Sequence, residues 1–271
     1  MAVEMFKNKE FSSAYEKYML PVANEVITLI LSYIEKKTKP KPYEMAVDIG
    51  CGTGRYTLPL APHFHKVLGV DISQSQIDEA RRSSSFENVT YQVSPAENLP
   101  LEDASVDLVT VGLAVHWFDL DRFMLEVVRV LKPKGCLAVH AFYPVFRVEY
   151  KGYSEALTGI MKEMMDTISK YSDKSDAFLL SQYKDIFNAV PLEDKKWVTD
   201  IPVVFERSVK ELIGFIQSIY MYQDFLTKDQ DGATRFLKYM EQRFHDVLGE
   251  ETDSATMKVQ VKHYCVLACK S

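Results

Sequence analysis

The sequence predicts an α/β fold, with a seven-stranded and mostly parallel sheet, an antiparallel last strand, and a cover of helices. Two observations predict it. Short apolar runs alternate with helical patterns from Ala46 to about Phe142, which is typical of βαβ units and a parallel sheet. After Phe142 the pattern changes to amphipathic helices that are interrupted by two strand-like stretches.

The first five strands are short apolar runs of the kind found in sheets that are buried on both faces. Between the second and third, Ser73 and Gln76 have the spacing of a capping box and predict a helix that ends at about Arg82. Another helical pattern over 120–131 ends before Pro133. The predicted strands are 45–49, 67–71, 89–93, 106–111 and 136–142.

Helices are predicted on both sides of these strands. Residues 9–37 have a helical pattern that breaks near Pro21, and 150–190 and 209–249 carry apolar residues at helical spacing. Ser208 opens the last of these stretches as a helix cap. The helices after the fifth and sixth strands are therefore expected to lie over one end of the sheet.

The last two strands are predicted at 198–207 and 258–269, where apolar and polar residues alternate, and we expect them to pair antiparallel at the sheet edge. A chain of 271 residues suits one domain, since single cores stop growing near about 250–300 residues. We expect a single domain over 1–271 with three parts, which are N-terminal helices (1–40), a ligand-binding core (41–143) and a helical cover with the final strands (144–271).

Composition narrows the class of partner. The net charge of -6 argues against nucleic acid, whose binding depends on clustered Lys and Arg. No secretory signal and no apolar run of about 18 residues is visible, so we expect a cytoplasmic protein that does not bind membranes. The four cysteines lack metal-finger spacing, so no metal site is predicted. We expect a monomer or a weak dimer.

A glycine-rich segment carries the first functional signal. Gly50, Gly52 and Gly54 directly follow a predicted buried strand and are expected to open a helix, where backbone amides can approach a ligand. Asp71 ends the next strand, 17 residues after Gly54, where a carboxylate can hold both hydroxyls of a ribose. Together these residues predict a nucleoside site.

The spacing of the glycines separates two classes of nucleoside ligand. Dinucleotide sites require G-x-G-x-x-G, but Arg55 or Thr57 stands at the third glycine position, depending on where the count begins. A nicotinamide oxidoreductase is therefore disfavoured. Asp48, two residues before the first glycine, can orient the loop and favour the cationic end of a nucleoside that bears an amino acid.

Five ordered motifs resemble those of class I S-adenosylmethionine (AdoMet)-dependent methyltransferases with a Rossmann-like fold, of the type 11-like kind. Within that class, the segment HWFD, which begins at His116, and the tyrosines Tyr15 and Tyr18 are most similar to the small-molecule group around trans-aconitate methyltransferase. The resemblance covers roughly residues 45–143. The five motifs are VDIGCGTG from Val47, GVDI from Gly69, AENLP from Ala96, SVD from Ser105 and VLKPKG from Val130.

The resemblance implies that AdoMet is the cofactor and S-adenosyl-L-homocysteine the product. By position, the glycines would approach the methionine part, Asp71 would hold the ribose, and Ile72 would pack on adenine. The usual cation for the cofactor carboxylate is unassigned, with Lys17 or a tyrosine hydroxyl as stand-ins. The implied cofactor-binding residues are Asp48, Gly50, Cys51, Gly52, Gly54, Asp71, Ile72, Ala96, Glu97, Gly112 and Leu113.

A second set of candidate residues would contact the molecule that accepts the methyl group. His116 is a candidate general base for a hydroxyl or thiol acceptor, or it shapes the pocket without chemistry. Arg147 is a candidate partner for a substrate carboxylate, or it is a surface residue. The predicted substrate-binding residues are Tyr15, Tyr18, His116, Trp117, Tyr143 and Arg147.

The leading functional hypothesis is methyl transfer to a small-molecule acceptor, with a carboxylate oxygen as one candidate target. A carboxylate is already ionised at pH 7, so its methylation needs alignment and desolvation and no base. Two alternatives stay open at this point. The chain is a non-catalytic AdoMet-binding interaction protein, or it is a methyltransferase that acts on protein.

Overall fold

The structure, a computed structural model, describes residues 9–38, 43–172 and 177–271. Within these residues it confirms the predicted fold, a seven-stranded sheet in the order β3-β2-β1-β4-β5-β7-β6. Strands β1 to β5 pair in parallel, and β7 is antiparallel to both β5 and β6. The strands are β1 Tyr43–Ile49, β2 Phe64–Asp71, β3 Val89–Val93, β4 Val106–Gly112, β5 Leu131–Glu149, β6 Asp194–Ser208 and β7 Thr256–Cys269.

Helices cover both faces of the sheet, which explains why β4 is buried along nearly its whole length. The break near Pro21 is confirmed, because α1 and α2 lie on either side of it. None of the described helices combines the length and apolar character that a membrane span requires. The helices are α1 Lys9–Tyr18, α2 Asn24–Lys37, α3 Gln74–Ser83, α4 Leu120–Val130, α5 Ser154–Ile168, α6 Ala177–Leu180, α7 Lys184–Ala189, α8 Val209–Gln217, α9 Tyr220–Lys228 and α10 Gln230–Leu248.

The predicted α-helix directly after the glycine-rich segment is wrong. Turns follow β1 instead, and then a short 3-10 helix spans Leu58–His63. Pro59 stands at its start and Pro62 inside it. Because proline has no amide hydrogen and its ring collides with the preceding turn, an α-helix cannot continue through this segment.

Strand β5 runs seven residues past the predicted end at Phe142, as far as Glu149. The register shifts between Phe142 and Phe146, and beyond this irregularity Arg147 pairs with Gln260 of β7. The long antiparallel partner provides hydrogen bonds that hold the extension as a strand. The chain therefore leaves the sheet later than predicted, and the helical cover begins with α5.

The two predicted helix caps differ in the structure. At α8 the capping box is complete, because the Ser208 hydroxyl accepts from the Glu211 amide and the Glu211 carboxylate accepts from the Ser208 amide. At α3 only the Ser73 hydroxyl acts as a cap, accepting from the Gln76 amide at 3.4 Å. The Ser73 amide donates to the carboxylate of Asp71 at 2.8 Å, which ties the start of α3 to the end of β2.

Two histidines are buried among the strands. His140 of β5 is 1% exposed and His263 of β7 is 2% exposed. Burial, with a smaller contribution from His263, lowers the pKa of His140 to about 3, and burial lowers the pKa of His263 to about 4. The ring of Tyr56 packs edge-on against His140 at 4.5 Å between centroids. Both imidazoles are therefore neutral in the folded protein at neutral pH.

We expect His140 to make the protein acid-sensitive. The pKa of His140 in the folded protein lies below its ordinary value of about 6.5, so the unfolded chain takes up a proton first as the pH falls. The free energy of unfolding is therefore highest above pH 6.5 and decreases as the pH falls from 6.5 to about 3. Replacing His140 by Gln should remove about 2 kcal/mol of the loss in unfolding free energy between pH 7 and pH 5. Urea titrations of both proteins at each pH measure this difference.

The matched control is His245→Gln, because His245 is exposed on α10 and meets solvent before and after unfolding. This control should keep the pH slope of the parent protein. Equal slopes in the parent and in His140→Gln would contradict the prediction.

Candidate active site

A cavity of about 280 Å³ lies between the carboxyl ends of the parallel strands and the helical cover. The chain segments that follow β1, β2, β3 and β4 form one side of it, and the cover forms the other. Ligands of open α/β sheets bind at this end of the strands. The sheet side consists of Gly50, Gly52, Asp71, Ile72, Ser94, Pro95, Ala96, Glu97, Gly112, Leu113 and Ala114.

The loop after β1 requires its glycines. Gly50, Gly52 and Gly54 have φ values of +67°, +54° and +84°, a region that side chains disfavour. A Cβ on Gly50 would lie 2.5 Å from the Cβ of Ala114, so this glycine also lets the loops after β1 and β4 approach each other. Backbone amides of the first loop can therefore come close to a ligand in the cavity.

Asp71 joins the end of β2 to this loop. Its Oδ2 accepts from the Gly52 amide at 2.9 Å, and its Oδ1 accepts from the Ser73 amide at 2.8 Å. Burial raises the pKa of Asp71, while these amide hydrogen bonds lower it. An ionised carboxylate can accept about four hydrogen bonds in all, so these amides leave it with further acceptor capacity. Because Asp71 also lines the cavity, it is placed to accept from hydroxyl groups of a ligand.

Asp48 lies beneath the loop and is 1% exposed. The Thr57 hydroxyl donates to its Oδ2 at 2.6 Å, and the Thr110 hydroxyl donates to its Oδ1 at 3.2 Å. Burial raises the pKa of Asp48 to about 6. Asp48 thus fastens the loop to β4, and it borders a second, smaller cavity of about 40 Å³ that shares Gly50 and Gly52 with the main one.

Residues 9–20, named here the N-terminal strap, lie across the glycine loop. The Arg55 guanidinium donates to the backbone carbonyls of Glu16 and Leu20, both at 2.8 Å, and the Thr53 hydroxyl donates to the Glu16 carboxylate. Tyr15 of the strap lines both cavities, and burial raises its pKa to about 12, so its hydroxyl stays protonated. Arg55 also borders the smaller cavity and is the cation placed there.

We expect Arg55→Met to loosen the strap. The change removes charge-assisted hydrogen bonds to two backbone carbonyls, each worth about 1.5–3 kcal/mol. Amide hydrogen exchange in α1 should therefore become at least roughly 10- to 150-fold faster, which is the effect of losing one of the two bonds, as measured by mass spectrometry.

Lys17→Ala is the control, because it removes a positive charge from an exposed position of the same strap. Its exchange rates in α1 should stay within about threefold of the parent protein, a difference below 1 kcal/mol. Unchanged protection of α1 in Arg55→Met would show that Arg55 does not hold the strap.

An aromatic cluster follows β4. His116 and Trp117 lie in the 3-10 turn Val115–Trp117, with ring centroids 5.3 Å apart, and both line the cavity. Tyr220 from the cover packs edge-on against Trp117 at 5.3 Å. The Nδ1 of His116 lies 3.0 Å from the hydroxyl oxygen of Tyr183, which comes from the turn before α7. The cluster thus joins the sheet side of the cavity to its cover.

The far end of the cavity is apolar. Among the described lining residues, Asp71 and Glu97 are the charged ones, and both stand on the sheet side. Glu97 is also held in place, because its Oε1 accepts from the Asp119 amide at 2.8 Å. No lysine or arginine lines the main cavity within the part of the chain that the structure describes. The apolar end consists of Phe142, Pro144, Met165, Leu179, Phe215, Ile219 and Met221.

The structure brings most of the predicted site residues together. Tyr15, His116 and Trp117 border the main cavity from the acceptor set, whereas Asp48 and Cys51 border the smaller one. The predicted cofactor residues that border the main cavity are Gly50, Gly52, Asp71, Ile72, Ala96, Glu97, Gly112 and Leu113.

Four predicted residues border neither cavity. Arg147 was a candidate either for a substrate carboxylate or for a surface residue, and the extended β5 places it on the solvent side, 70% exposed and ion-paired with Glu149. Tyr143 precedes the same extension and packs against the core. Gly54 accommodates Tyr91, because a Cβ there would lie 2.3 Å from its hydroxyl.

Tyr18 is the fourth predicted residue that borders neither cavity. Its ring packs on α8 at Gly214, where a Cβ would lie 2.4 Å from a ring carbon. A glycine at this position therefore lets the strap approach the cover, and Tyr18 fastens the strap without bordering the cavity.

Sequence reasoning missed the side chains that come from the strap and the cover. Met165 stands on an amphipathic helix, and nothing in helical spacing separates a core methionine from one that borders a cavity. Arg55 was noted only as the residue that replaces a glycine. The missed lining residues of the main cavity are Phe11, Met19, Gln76, Pro95, Phe118, Phe142, Pro144, Met165, Leu179, Phe215, Ser218, Ile219, Tyr220 and Met221.

Comparison with known sequences points to one chemistry. A family model described as a methyltransferase domain matches residues 47–139. A Dictyostelium discoideum protein named as a methyltransferase is 30% identical over 216 residues, which cover 79% of this chain and 77% of that protein. A Saccharomyces cerevisiae protein named as an S-adenosylmethionine-dependent methyltransferase is 28% identical over 66% of this chain and 61% of its own length.

Solved structures share the fold. A protein described as a type II methyltransferase from Anaeromyxobacter dehalogenans superimposes with a TM-score of 0.68 at 22% identity, over 89% of this chain and 95% of that one. Phosphoethanolamine N-methyltransferase 2 of Haemonchus contortus, solved with phosphomonomethylethanolamine and S-adenosylhomocysteine, gives a TM-score of 0.50 at 19% identity, over 96% of this chain and 58% of that one.

Proposed function

Because the chain belongs to the class I AdoMet-dependent methyltransferases, we propose that its main cavity holds AdoMet beside a small apolar acceptor and that the methyl group moves to a carboxylate oxygen of that acceptor. The observation that carries the acceptor class is the apolar end of the cavity, which is lined by cover side chains without a lysine or arginine among the described residues. The likeness to the trans-aconitate group stays a prediction.

The sheet side of the cavity fits a nucleoside that carries an amino acid. Asp71 can accept from ribose hydroxyls while it holds the Gly52 amide, and Ile72, which is 50% exposed, offers an apolar surface to a base. Ser94 and Glu97 supply polar atoms at the edge of that surface. The glycine loop leaves room for close backbone contact with the methionine part.

The acceptor side supports alignment more than acid–base chemistry. AdoMet, when bound, supplies an electrophilic methyl group on a positively charged sulfur. That charge would face an acceptor carboxylate at the junction of the two ends, so a side-chain cation is not required there. Phe142, Phe215 and Met221 exclude water from this junction, which strengthens the attraction. The remaining requirement is an in-line arrangement of oxygen, methyl and sulfur.

We expect purified protein to transfer label from methyl-labelled AdoMet to small apolar acids. A panel of aliphatic and aromatic carboxylic acids, each paired with the corresponding alcohol, tests both the acceptor class and the atom. Alkaline hydrolysis should release the label from methyl esters. Transfer to the alcohols alone would overturn the carboxylate target, and transfer only to protein or RNA would overturn the small-molecule function.

We expect Asp71→Ala to weaken AdoMet binding by about 1.5–3 kcal/mol, the scale of hydrogen bonds to a charged group. Isothermal titration calorimetry measures the dissociation constant directly. Asp78→Ala is the control, since Asp78 is an exposed carboxylate on the neighbouring α3. Binding with an unchanged dissociation constant in Asp71→Ala would show that the ribose assignment is wrong.

A further inference from the structure

We propose that Tyr183 is a positioning residue that holds His116 in the neutral form protonated at Nε2, so that His116 presents a hydrogen-bond donor to the acceptor and not a base. The chemical use of this donor rests on the proposed function. The protonation state itself does not, because it follows from contacts within the chain.

The hydroxyl of Tyr183 requires a hydrogen-bond acceptor. Tyr183 is 0% exposed, and burial raises its pKa, so the hydroxyl keeps its proton. Within the described residues, the hydrogen-bond partner of this hydroxyl is Nδ1 of His116, at 3.0 Å. A buried hydroxyl that donates to nothing is strongly disfavoured. The Tyr183 hydroxyl therefore donates to Nδ1, and the proton of the neutral imidazole resides on Nε2.

The backbone around Tyr183 is held in an unusual conformation that aims the hydroxyl at His116. Gln182 and Tyr183 are two successive residues with left-handed φ values of +54° and +60°. Such strain persists where the surroundings enforce it. Here the Trp197 indole donates to the Gln182 carbonyl at 2.8 Å, and the ring of Tyr264 packs edge-on against Tyr183 at 5.0 Å.

Neighbouring aromatic rings also fix the orientation of the His116 imidazole. Trp117, Tyr183 and Tyr220 surround it, with ring centroids between 5.3 and 6.4 Å away. A ring held in this way keeps Nε2 on the edge opposite Tyr183. His116 lines the cavity at the sheet side of its apolar end, where the reacting oxygen would stand.

An Nε2–H donor suits a carboxylate acceptor. One carboxylate oxygen can receive the hydrogen bond while the other attacks the methyl carbon. The new bond joins that oxygen to the methyl carbon, the bond from methyl to sulfur breaks, and its electron pair returns to sulfur. An ester and a neutral thioether result, and no proton moves. An alcohol acceptor would instead have to lose its proton to a group other than this His116 tautomer.

Nitrogen NMR on the 271-residue chain tests the protonation state without any substrate. Long-range 15N–1H spectra of histidine-labelled protein are recorded at about pH 8.5, above the ordinary histidine pKa, and His116→Gln identifies the signals of His116. The expected result is a protonated Nε2 and an unprotonated Nδ1. A proton on Nδ1, in the other neutral form or in the imidazolium, would overturn the proposal.

Two tyrosine variants show whether Tyr183 is responsible. Tyr183→Phe removes the donor and should give a mixture of both neutral forms of His116. Tyr264→Phe removes a hydroxyl from the ring packed on Tyr183 and should leave the parent pattern, since the Tyr264 hydroxyl has no hydrogen-bond partner among the described residues. Pure Nε2 protonation in Tyr183→Phe would contradict the role of Tyr183.

Catalysis provides a separate readout once a labelled acceptor is found. The side-chain nitrogen of glutamine can replace the Nε2–H donor, whereas that of asparagine stands closer to the Nδ1 position. His116→Asn should therefore lower kcat about 100- to 1,000-fold more than His116→Gln does, the range for the loss of one aligned donor. Equal losses in both variants would contradict the donor role. If no acceptor is found, the proposed function fails while the NMR result still stands.

Discussion

The carboxylate of Asp71 is the interaction on which the site depends. It ends β2, accepts from the Gly52 amide of the loop after β1, and accepts from the Ser73 amide at the start of α3. Three elements thus meet at one side chain beside the point where the strand order reverses between β1 and β4. A cavity opens here because the loops after neighbouring strands turn toward opposite faces of the sheet, and Asp71 keeps the glycine loop at its rim.

Arg55 extends this arrangement from the sheet to the cover. The residue directly follows the glycine segment, yet its guanidinium bonds to carbonyls of the N-terminal strap. The strap in turn meets α8 through Tyr18 and Gly214. The glycine loop, the strap and the cover are therefore linked by direct contacts, and Tyr15 lies between the two cavities at their junction.

The sheet and the residues that line the sheet side of the cavity could be predicted from the sequence because both depend on local patterns. Strand β4 appears as an apolar run, and the glycines with Asp71 have a fixed spacing. The prediction of an α-helix after the glycines was wrong, although Pro59 and Pro62 argue against an α-helix there. The assignment of Arg147 to a substrate carboxylate was wrong because the end of β5 depends on its pairing with β7, which cannot be read from the sequence of β5 alone.

Contacts between residues that are far apart in the sequence could not be predicted, because they depend on how the folded chain packs. His116 and Tyr183 are 67 residues apart, and their hydrogen bond arises only when the cover closes on the sheet. The backbone conformation at Tyr183 is likewise imposed by packing, since tyrosine has no preference for left-handed φ values. Residue type and spacing therefore located His116 but did not reveal the group that sets its protonation.

Four different helices each contribute one side chain to the apolar end of the cavity: Met165 from α5, Leu179 from α6, Phe215 from α8 and Met221 from α9. None of these four borders the smaller cavity beneath the glycine loop. Under the proposed assignment of the cavity, mutations at these positions can reshape the acceptor end and leave the nucleoside end intact. During divergence, such a protein can change what it methylates by single replacements in separate helices while it keeps the same methyl donor.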